Sequence, residues 1–235
     1  MKLPLCYFIL CLSFSGFSQV DDREYSAWNM ILPQKTINEK WNVQSEFHRR
    51  SRSFYTDINQ WLIRPQVNYN ISEKTTFGVG YSYLNNQNQN PQLDNVEHNV
   101  YQNLQFRQKT KLVNFTHQIR FEERFMDSFE VVNGNVIQLD DEFAIRTRVR
   151  MTGVAPLATL GDNSSISLVA FNEFFMNMSD TFRPDSFDQN WLFIAPQVKI
   201  NEHIAVTTGY QDVYQKRGEG FVGNSIWSSV MNINF

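Results

Sequence analysis

Cysteine is nearly absent from this chain of 235 residues, and its two cysteines, Cys6 and Cys11, both lie close to the start. From residue 12 onward the sequence contains no thiol. A chain without thiols forms no disulfide and offers no thiolate ligand to a metal ion. The fold must therefore be held by packing, hydrogen bonds and ion pairs.

Long hydrophobic runs are also missing, apart from one short stretch at the start. Lys2 precedes an apolar stretch that ends at Phe14, and two small residues, Gly16 and Ser18, follow it. This order predicts a secretory signal peptide over residues 1–18, with cleavage after Ser18. The apolar stretch is shorter than the roughly 20 residues that a membrane-spanning helix needs. An exported chain without a helical span favours the outer membrane of a Gram-negative bacterium.

Neither sign of charge is in strong excess. The chain has 21 basic and 24 acidic side chains and a net charge of −3. This balance lacks the basic character of a nucleic-acid-binding protein, so no nucleic-acid partner is expected. Residues 19–235 are enough for one domain of barrel or sandwich size.

Two segments alternate between polar and apolar residues, and they are the most informative pattern present. Residues 114–124 place a polar side chain at every second position, and residues 143–151 set three arginines behind an apolar face. A period of two indicates a β-strand with two different faces. Charged ladders behind an aromatic face are typical of a transmembrane barrel, with aromatic side chains toward lipid. The predicted fold is all-β, an antiparallel transmembrane up-and-down β-barrel.

Alternation along the rest of the chain predicts about ten strands, within a range of about 10–12, joined by short periplasmic turns and longer outer loops. The predicted strands cover residues 40–50, 58–70, 75–85, 96–108, 112–126, 141–153, 165–178, 188–200, 203–215 and 224–235. A turn sequence at 71–74 and 200–203 recurs at 37–40, which implies a further strand at about 27–37. Either residues 19–37 lie in the lumen or periplasm, or the barrel has twelve strands, one of them cryptic.

One outer loop and the last strand carry signals of their own. Residues 127–140 contain Asn133-Gly134 between two apolar runs, the strongest short signal for a hairpin, so this loop is predicted to project as a ribbon. The last strand ends in an aromatic residue, Phe235. Such an ending resembles the signal by which the barrel-assembly machinery recognises outer-membrane proteins, and that machinery is a predicted partner.

The outer end of the first long strand is rich in arginine. Arg49, Arg50 and Arg52 are predicted to contact the phosphates of lipopolysaccharide, which arginine binds well, or else to form an ordinary solvated rim. Outer-membrane lipids are the other expected partners. An interface belt of aromatic residues is predicted from Trp41, Trp61, Trp191, Trp227, Tyr69 and Tyr81.

Alternation also predicts which charged side chains point into the lumen. They are Glu46, Arg64, Glu97, Arg107, Arg120, Glu122, Arg124, Arg146, Arg148, Arg150 and Glu173. Arginine forks pair with carboxylates in bidentate fashion, so one interpretation is an interlocked network that plugs a narrow barrel. The other is an anion-attracting constriction, since arginines outnumber glutamates in this set. Both interpretations remain open at this point.

Enzyme chemistry has little support. A Ser–His pair at the outer rim could arise if Ser82 approached His98 from the neighbouring strand, but no acid–His–Ser set accompanies them. We therefore predict no catalytic, cofactor-binding or metal site and no cofactor. The leading function is a non-enzymatic barrel for envelope integrity, adhesion or narrow-pore passage. The alternatives are a lipid-modifying enzyme of the outer membrane and a soluble periplasmic binding barrel.

An ordered set of short motifs extends over almost the whole chain after the signal peptide. They are Trp28, Asn38-Glu39-Lys40-Trp41, Glu46, Arg49, Arg64-Pro65, Gly78-Val79-Gly80-Tyr81, Glu97, Gln102, Arg120-Phe121-Glu122-Glu123-Arg124-Phe125, Arg146-Thr147-Arg148, Asn172-Glu173, Asp188-Gln189-Asn190 and Gly209-Tyr210. With them the chain resembles the domain-of-unknown-function family numbered 2490, secreted proteins of Bacteroidota and Proteobacteria. The resemblance implies an outer-membrane-type barrel of unassigned function. Two arginines of the family pattern are replaced here by Trp191 and Asn99.

Overall fold

Strands account for nearly all of the structure, a computed structural model that describes residues 22–179 and 183–235. The strands are β1 (Asp22–Thr36), β2 (Trp41–Arg52), β3 (Asp57–Asn70), β4 (Thr75–Asn86), β5 (Asn95–Lys109), β6 (Asn114–Met126), β7 (Phe129–Val132), β8 (Asn135–Gln138), β9 (Glu142–Thr159), β10 (Ser165–Met178), β11 (Pro184–Lys199), β12 (Ile204–Arg217) and β13 (Gly220–Asn234). One 3-10 turn covers Pro91–Leu93. Among the described residues no helix is long and apolar enough to cross a membrane. The predicted signal peptide lies outside the described residues.

Eleven of these strands close into one barrel, in the order β1-β13-β12-β11-β10-β9-β6-β5-β4-β3-β2. The all-β barrel predicted from alternation is confirmed. Residues 22–36 form a wall strand, β1, so they do not lie in the lumen as one alternative had it. The barrel closes where β1 runs parallel to β13 and antiparallel to β2. The barrel therefore has eleven strands, within the predicted range of about 10–12 but equal to neither ten nor twelve.

Every predicted strand is present, but most extend further than expected. At one end of the barrel, the turn end, the connections are residues 37–40, 71–74, 110–113, 160–164 and 200–203. At the other end, the loop end, they are 53–56, 87–94, 127–141, 179–183 and 218–219. Only two loop-end connections are longer than the turns, so the predicted strict alternation of short and long is wrong. The reason is that the strands continue through polar residues near the loop end. Arg217, for example, still pairs with Gly220.

The predicted hairpin in the longest connection is present, but it does not continue β6 and β9 as one ribbon. β7 and β8 pair as a separate two-stranded sheet, with Val132 opposite Asn135. Asn133 and Gly134 have φ angles of 51° and 81°, the left-handed values that a tight two-residue hairpin turn requires.

Polar and apolar residues are distributed in the reverse of the usual order. Many large apolar side chains on the outside of the wall are exposed, among them Phe47, Trp61, Ile63, Val67, Val79, Leu104, Phe106, Ile119, Val149, Leu192, Ile194 and Trp227. The buried side chains are largely polar, among them Gln66, Asn68, Ser82, Asn99, Asn103, Arg120, Glu122, Arg148, Glu173, Gln211 and Ser228. Alternation along the strands therefore separates an apolar exterior from a polar interior.

The interior is also closely filled at the turn-end side of the charged residues. The Tyr101 hydroxyl donates to Gln66 Oε1 at 3.0 Å. Gly80 leaves room for the Tyr101 ring, because a Cβ atom there would overlap the ring and lie 2.8 Å from the Pro65 carbonyl oxygen. One part of the interior is apolar instead, a small cluster of Val169, Phe193 and Ala195.

Candidate functional site

Closely spaced ion pairs between arginines and carboxylates fill the middle of the barrel. The register places their members side by side, because Glu46 is opposite Arg64, Glu122 is opposite Arg146 and Glu173 is opposite Arg150. Each pair projects inward from neighbouring strands, so the two alternating ladders, on β6 and β9, lie side by side on the inner face of the wall. We call this set, Glu46, Arg64, Glu97, Arg120, Glu122, Arg124, Arg146, Arg148, Arg150, Glu173 and Asp188, the ion network.

Two fully buried glutamates organise one side of the ion network. Glu122 accepts from Arg148 Nη1 at 2.9 Å and from Arg146 Nη2 at 2.7 Å. Glu173 accepts from Arg148 Nε at 2.9 Å and from Arg150 Nη2 at 2.5 Å. Arg148 thus bridges two carboxylates, and neither glutamate side chain is exposed. Charged hydrogen bonds of this kind are short and stronger than neutral ones.

Further pairs extend the ion network around the wall. Glu46 accepts from Arg64 at 2.9 Å, and the ring of His48 contacts the same carboxylate oxygen at 2.9 Å. Glu97 receives a two-pronged contact from Arg124, through Nε at 2.7 Å and Nη2 at 3.0 Å. The network therefore fixes side chains from most of the wall relative to one another.

Asp188 and His48 were not among the residues predicted for the lumen. Asp188 lies 3.2 Å from Arg146. Asp188 is the first residue of the predicted strand 188–200. Alternation does not show where the preceding loop ends and this strand begins. His48 lies two residues after Glu46 on the same inward face, so the period of two is the sequence signal that predicts its inward position.

Arg107 is the one predicted lumen residue that the structure does not bring into the ion network. It shares the inward parity of β5, but it lies close to the turn end and is exposed. The alternation of a strand shows which face a residue lies on. It does not show how far along the barrel axis the residue lies. Arg107 is therefore an ordinary solvated end residue.

A cavity of about 770 Å³ lies on the loop-end side of the ion network. Its floor includes Arg64, Arg146 and Arg148, and its mouth includes the exposed residues 88–90. Arginine is its dominant charged residue. Of the residues that the structure describes, the lining contains Arg50, Arg52, Arg64, Arg124, Arg146, Arg148 and Arg217 but only two carboxylates, Glu24 and Glu97. We call this space the mouth cavity.

Arg50 lies inside this cavity, so its predicted place among lipopolysaccharide contacts is wrong. Its parity matches that of Glu46 and His48, and it turns inward. Arg50 Nη1 donates to Gln60 Oε1 at 2.6 Å, and the guanidinium carbon lies 3.9 Å from the centre of the Trp28 ring. Arg50 Nε is buried without a hydrogen-bond partner among the described residues.

The two other predicted rim arginines differ in direction. Arg52 also turns inward at the mouth, lies 3.5 Å from Asp57 and donates to the Gln87 carbonyl. Arg49 lies on the outside of the wall, where its Nη2 donates to the Tyr55 carbonyl at 3.1 Å. Of the three, Arg49 alone keeps an outward position in which it could meet a lipid headgroup.

Aromatic residues form one wall of the mouth cavity. Trp28 and Trp191 meet edge to face at 5.1 Å between ring centres, and Phe175 lies 4.8 Å from Trp191. Trp191 therefore faces inward, and its predicted place in an outer aromatic belt is wrong. Trp41, Trp61, Trp227 and Tyr81 of that belt are exposed on the outside.

The serine and histidine considered for catalysis lie on opposite faces of the wall. Ser82 is fully buried, and its hydroxyl accepts from Arg64 Nε at 2.8 Å. His98 is exposed on the outside, where its ring contacts the Tyr81 hydroxyl. The structure does not bring these two side chains together.

Comparison with known proteins identifies a family. No curated protein and no solved structure matches the chain. A family model described as "Protein of unknown function (DUF2490)" matches residues 25–223, which include ten of the eleven barrel strands nearly in full and all of the ion network. The chain therefore belongs to the DUF2490 family of proteins of unknown function.

Proposed function

We propose that this protein is a non-enzymatic transmembrane β-barrel of the bacterial outer membrane, sealed across its middle by the ion network. The observation that carries the proposal is the reversed distribution of side chains, with apolar residues exposed outside and charged residues buried inside. In water such a surface would strongly favour aggregation. In a bilayer the same surface is the matching one.

Closure of the backbone supports the same proposal. Lipid offers no hydrogen bonds, so a strand in a membrane must have both edges paired. Here the parallel contact between β1 and β13 runs from Asp22 to Gln34 and pairs the last free edges of the wall. The barrel strands are 12 to 18 residues long. This length exceeds the about 9–11 residues that a tilted strand needs to cross a bilayer.

The filled interior favours a sealed barrel over an open pore. Glu122 and Glu173 have no exposed side-chain surface, and Arg148 and Arg120 have only 4% and 5%. These side chains occupy the middle of the lumen, and the glutamates hold Arg148 through 2.9 Å contacts. An ion would have to break several charged hydrogen bonds to pass. We therefore assign the protein a role at the cell envelope that does not depend on bulk flow.

Location and partners form part of the proposal. The apolar outside of the wall fits a barrel that the barrel-assembly machinery inserts into the outer membrane, where outer-membrane lipids surround the wall. Arg49 is the remaining candidate for a contact with lipopolysaccharide phosphate. Ser82 and His98 face opposite sides of the wall, which gives no support to the alternative of a lipid-modifying enzyme.

A pair of matched variants tests the membrane assignment. Ile119 is 54% exposed in the middle of β6, and Ile37 is 57% exposed in a turn. A lysine on the lipid face near the bilayer midplane costs about 2–4 kcal/mol, so Ile119→Lys should lower the yield of barrel folded into vesicles. Ile37→Lys should have no effect. Folded barrel is counted by the difference in gel migration between unheated and heated samples.

Two outcomes would overturn parts of this proposal. If the wild-type protein stays monomeric in buffer without detergent and Ile119→Lys folds as well as Ile37→Lys, the protein is a soluble barrel. If the folded wild-type protein gives steady, anion-selective single-channel conductance in planar bilayers, the sealed interior is wrong and the arginines line a pore. We expect a folded barrel that does not conduct.

A further inference from the structure

We infer that the mouth cavity is a binding site for an organic phosphomonoester, with its phosphate at Arg50 and its apolar body against Trp191. This goes beyond the proposed function, since a sealed envelope barrel needs no ligand. The site requires only the closed barrel and does not depend on which membrane surrounds it.

Arg50 is the centre of the site because no carboxylate neutralises it. Among residues 22–179 and 183–235 its one hydrogen bond is to the Gln60 amide, at 2.6 Å, and no ion pair involves it. Its Nε is buried and unpaired. A guanidinium removed from water without a counter-charge is unfavourable, and an anion supplied by a ligand would correct this.

The charge balance of the interior gives the expected charge of the ligand. In the part of the chain that the structure describes, seven arginines occupy the lumen core, Arg50, Arg64, Arg120, Arg124, Arg146, Arg148 and Arg150. Five carboxylates accompany them, Glu46, Glu97, Glu122, Glu173 and Asp188. The arginines thus exceed the carboxylates by two charges. The lining of the mouth cavity is itself rich in arginine, so a phosphomonoester, with a charge of about −1.5 to −2 at neutral pH, has the sign that this excess favours.

Phosphate also suits the positions of the donors. Arg64 and Arg148 line the same cavity as Arg50, so cations from three strands face one space. The three oxygens of a phosphomonoester can accept from more than one guanidinium, and arginine forks recognise phosphate in bidentate fashion. A carboxylate has one charge and two oxygens, and would engage fewer of these guanidinium groups.

The aromatic wall gives the ligand its apolar part. Trp191 is partly exposed and lines the cavity, and the almost fully buried Trp28 and Phe175, with 7% and 2% exposure, pack against it from behind. Planar or aliphatic groups pack well on such rings. A cavity of about 770 Å³ is within the range of about 300–1,000 Å³ typical of small-molecule sites. The mouth reaches the exposed residues 88–90, so a ligand can enter from the loop end.

Binding of 1-naphthyl phosphate tests the site directly. The probe combines one phosphomonoester with a flat apolar body. Wild-type protein, folded in uncharged detergent micelles, should bind it saturably with one-to-one stoichiometry in titration calorimetry. Binding should also change tryptophan fluorescence, because two tryptophans line the cavity. 1-Naphthol, which lacks the phosphate, should bind at least tenfold more weakly.

Matched variants connect the binding to Arg50. Arg50→Gln should weaken 1-naphthyl phosphate at least tenfold, whereas Arg107→Gln, which removes an exposed arginine outside the cavity, should leave the affinity unchanged. Arg50→Lys keeps the charge without the fork and should give an intermediate loss. It also provides a readable variant if Arg50→Gln folds poorly. Gel migration of unheated samples establishes that each variant is folded.

The phosphate could belong to a dissolved molecule or to a lipid headgroup, and one competition separates these sources. Phosphatidic acid added to the micelles should displace 1-naphthyl phosphate if a lipid headgroup can reach the cavity, with diacylglycerol as the uncharged control. If phosphatidic acid does not displace the probe, a soluble phosphomonoester is the ligand class.

Two results would overturn the inference. One is a folded wild-type protein that does not bind 1-naphthyl phosphate at millimolar concentration. The other is equal affinity in wild-type protein and Arg50→Gln. Neither result bears on the membrane assignment, which rests on insertion into vesicles and is measured without any ligand.

Discussion

Arg148 and Arg50 point into the same barrel and line the same cavity, yet their surroundings differ. Arg148 contacts Glu122 and Glu173, each at 2.9 Å. Arg50 has one neutral hydrogen bond and the face of Trp28, 3.9 Å from its guanidinium carbon. The charge of Arg148 is balanced by two carboxylates of the protein, whereas Arg50 has no carboxylate partner and retains the capacity to bind an anion. The interior thus combines a structural half and a half available for recognition.

The largest loss of stability is expected when a buried carboxylate of the ion network is removed. Glu122→Gln removes the charge that Arg146 and Arg148 share and leaves buried guanidinium groups without full compensation. Loss of one partner from a buried ion pair costs about 3–5 kcal/mol, so unfolding in urea should shift to clearly lower concentration. Glu202→Gln, at an exposed turn residue, is the control. Equal midpoints for the two variants would refute a stabilising ion network.

Replacement of Arg148 by methionine disrupts the same ion pairs by removing the cation and keeping both carboxylates. Glu122 would retain Arg146 and Glu173 would retain Arg150, so the loss should be smaller than for Glu122→Gln. We expect Arg148→Met to lower the free energy of unfolding by about 2–4 kcal/mol. Urea titration of barrels in vesicles measures it. A stability equal to that of wild type would show that the two glutamates need only one arginine each.

Arg50→Met tests the difference between Arg50 and Arg148 directly, because in this variant no carboxylate loses an ion-pair partner. The substitution removes an uncompensated cation from beside other arginines, at the expense of one hydrogen bond to Gln60 and the stacking on Trp28. We expect a change within about 1 kcal/mol of zero in the same urea titration. A loss as large as that of Arg148→Met would mean that Arg50 is structural, and it would remove the distinction between the two halves.

The smallest effect is expected outside the barrel, in the β7–β8 hairpin. Gly134 has a φ of 81°, and a side chain in this left-handed region costs about 1–2 kcal/mol locally. Gly134→Ala should therefore raise hydrogen exchange within residues 129–138 but leave the urea midpoint of the barrel unchanged. Gly161→Ala, at another open glycine without a positive φ, should affect neither. A shifted barrel midpoint in Gly134→Ala would show that the hairpin supports the wall.

The fold and the ion network were largely predictable where the two faces of a strand differ. In residues 114–124 and 143–151 charges alternate with apolar residues, so inward and outward positions are unambiguous. In β11 both faces are apolar, Trp191 and Phe193 inward and Leu192 and Ile194 outward. Alternation cannot distinguish such faces, and this explains why Trp191 was assigned to the outside.

The remaining errors concern the depth of a residue along the barrel axis and the pairing of strands that are far apart in the sequence. Arg107 has inward parity, but its exposure depends on its position near a barrel end. The pairing of β1 with β13 joins residues about 200 positions apart, as with Asp22 and Val222. No local pattern encodes which strand closes a barrel, because that choice depends on the curvature of the whole sheet.

The parallel contact between β1 and β13 also determines where the chain enters and leaves the wall. Asp22 is at the loop end beside Val222, whereas Phe235 is at the turn end, where its N–H donates to the Gln34 carbonyl at 3.0 Å. In a membrane these two residues face different compartments. An antiparallel closure would put both on one side. If the barrel spans a membrane as proposed, fusions placed before Asp22 and after Phe235 should therefore report from opposite sides of the bilayer, and an impermeant reagent should reach only one of them in an intact cell.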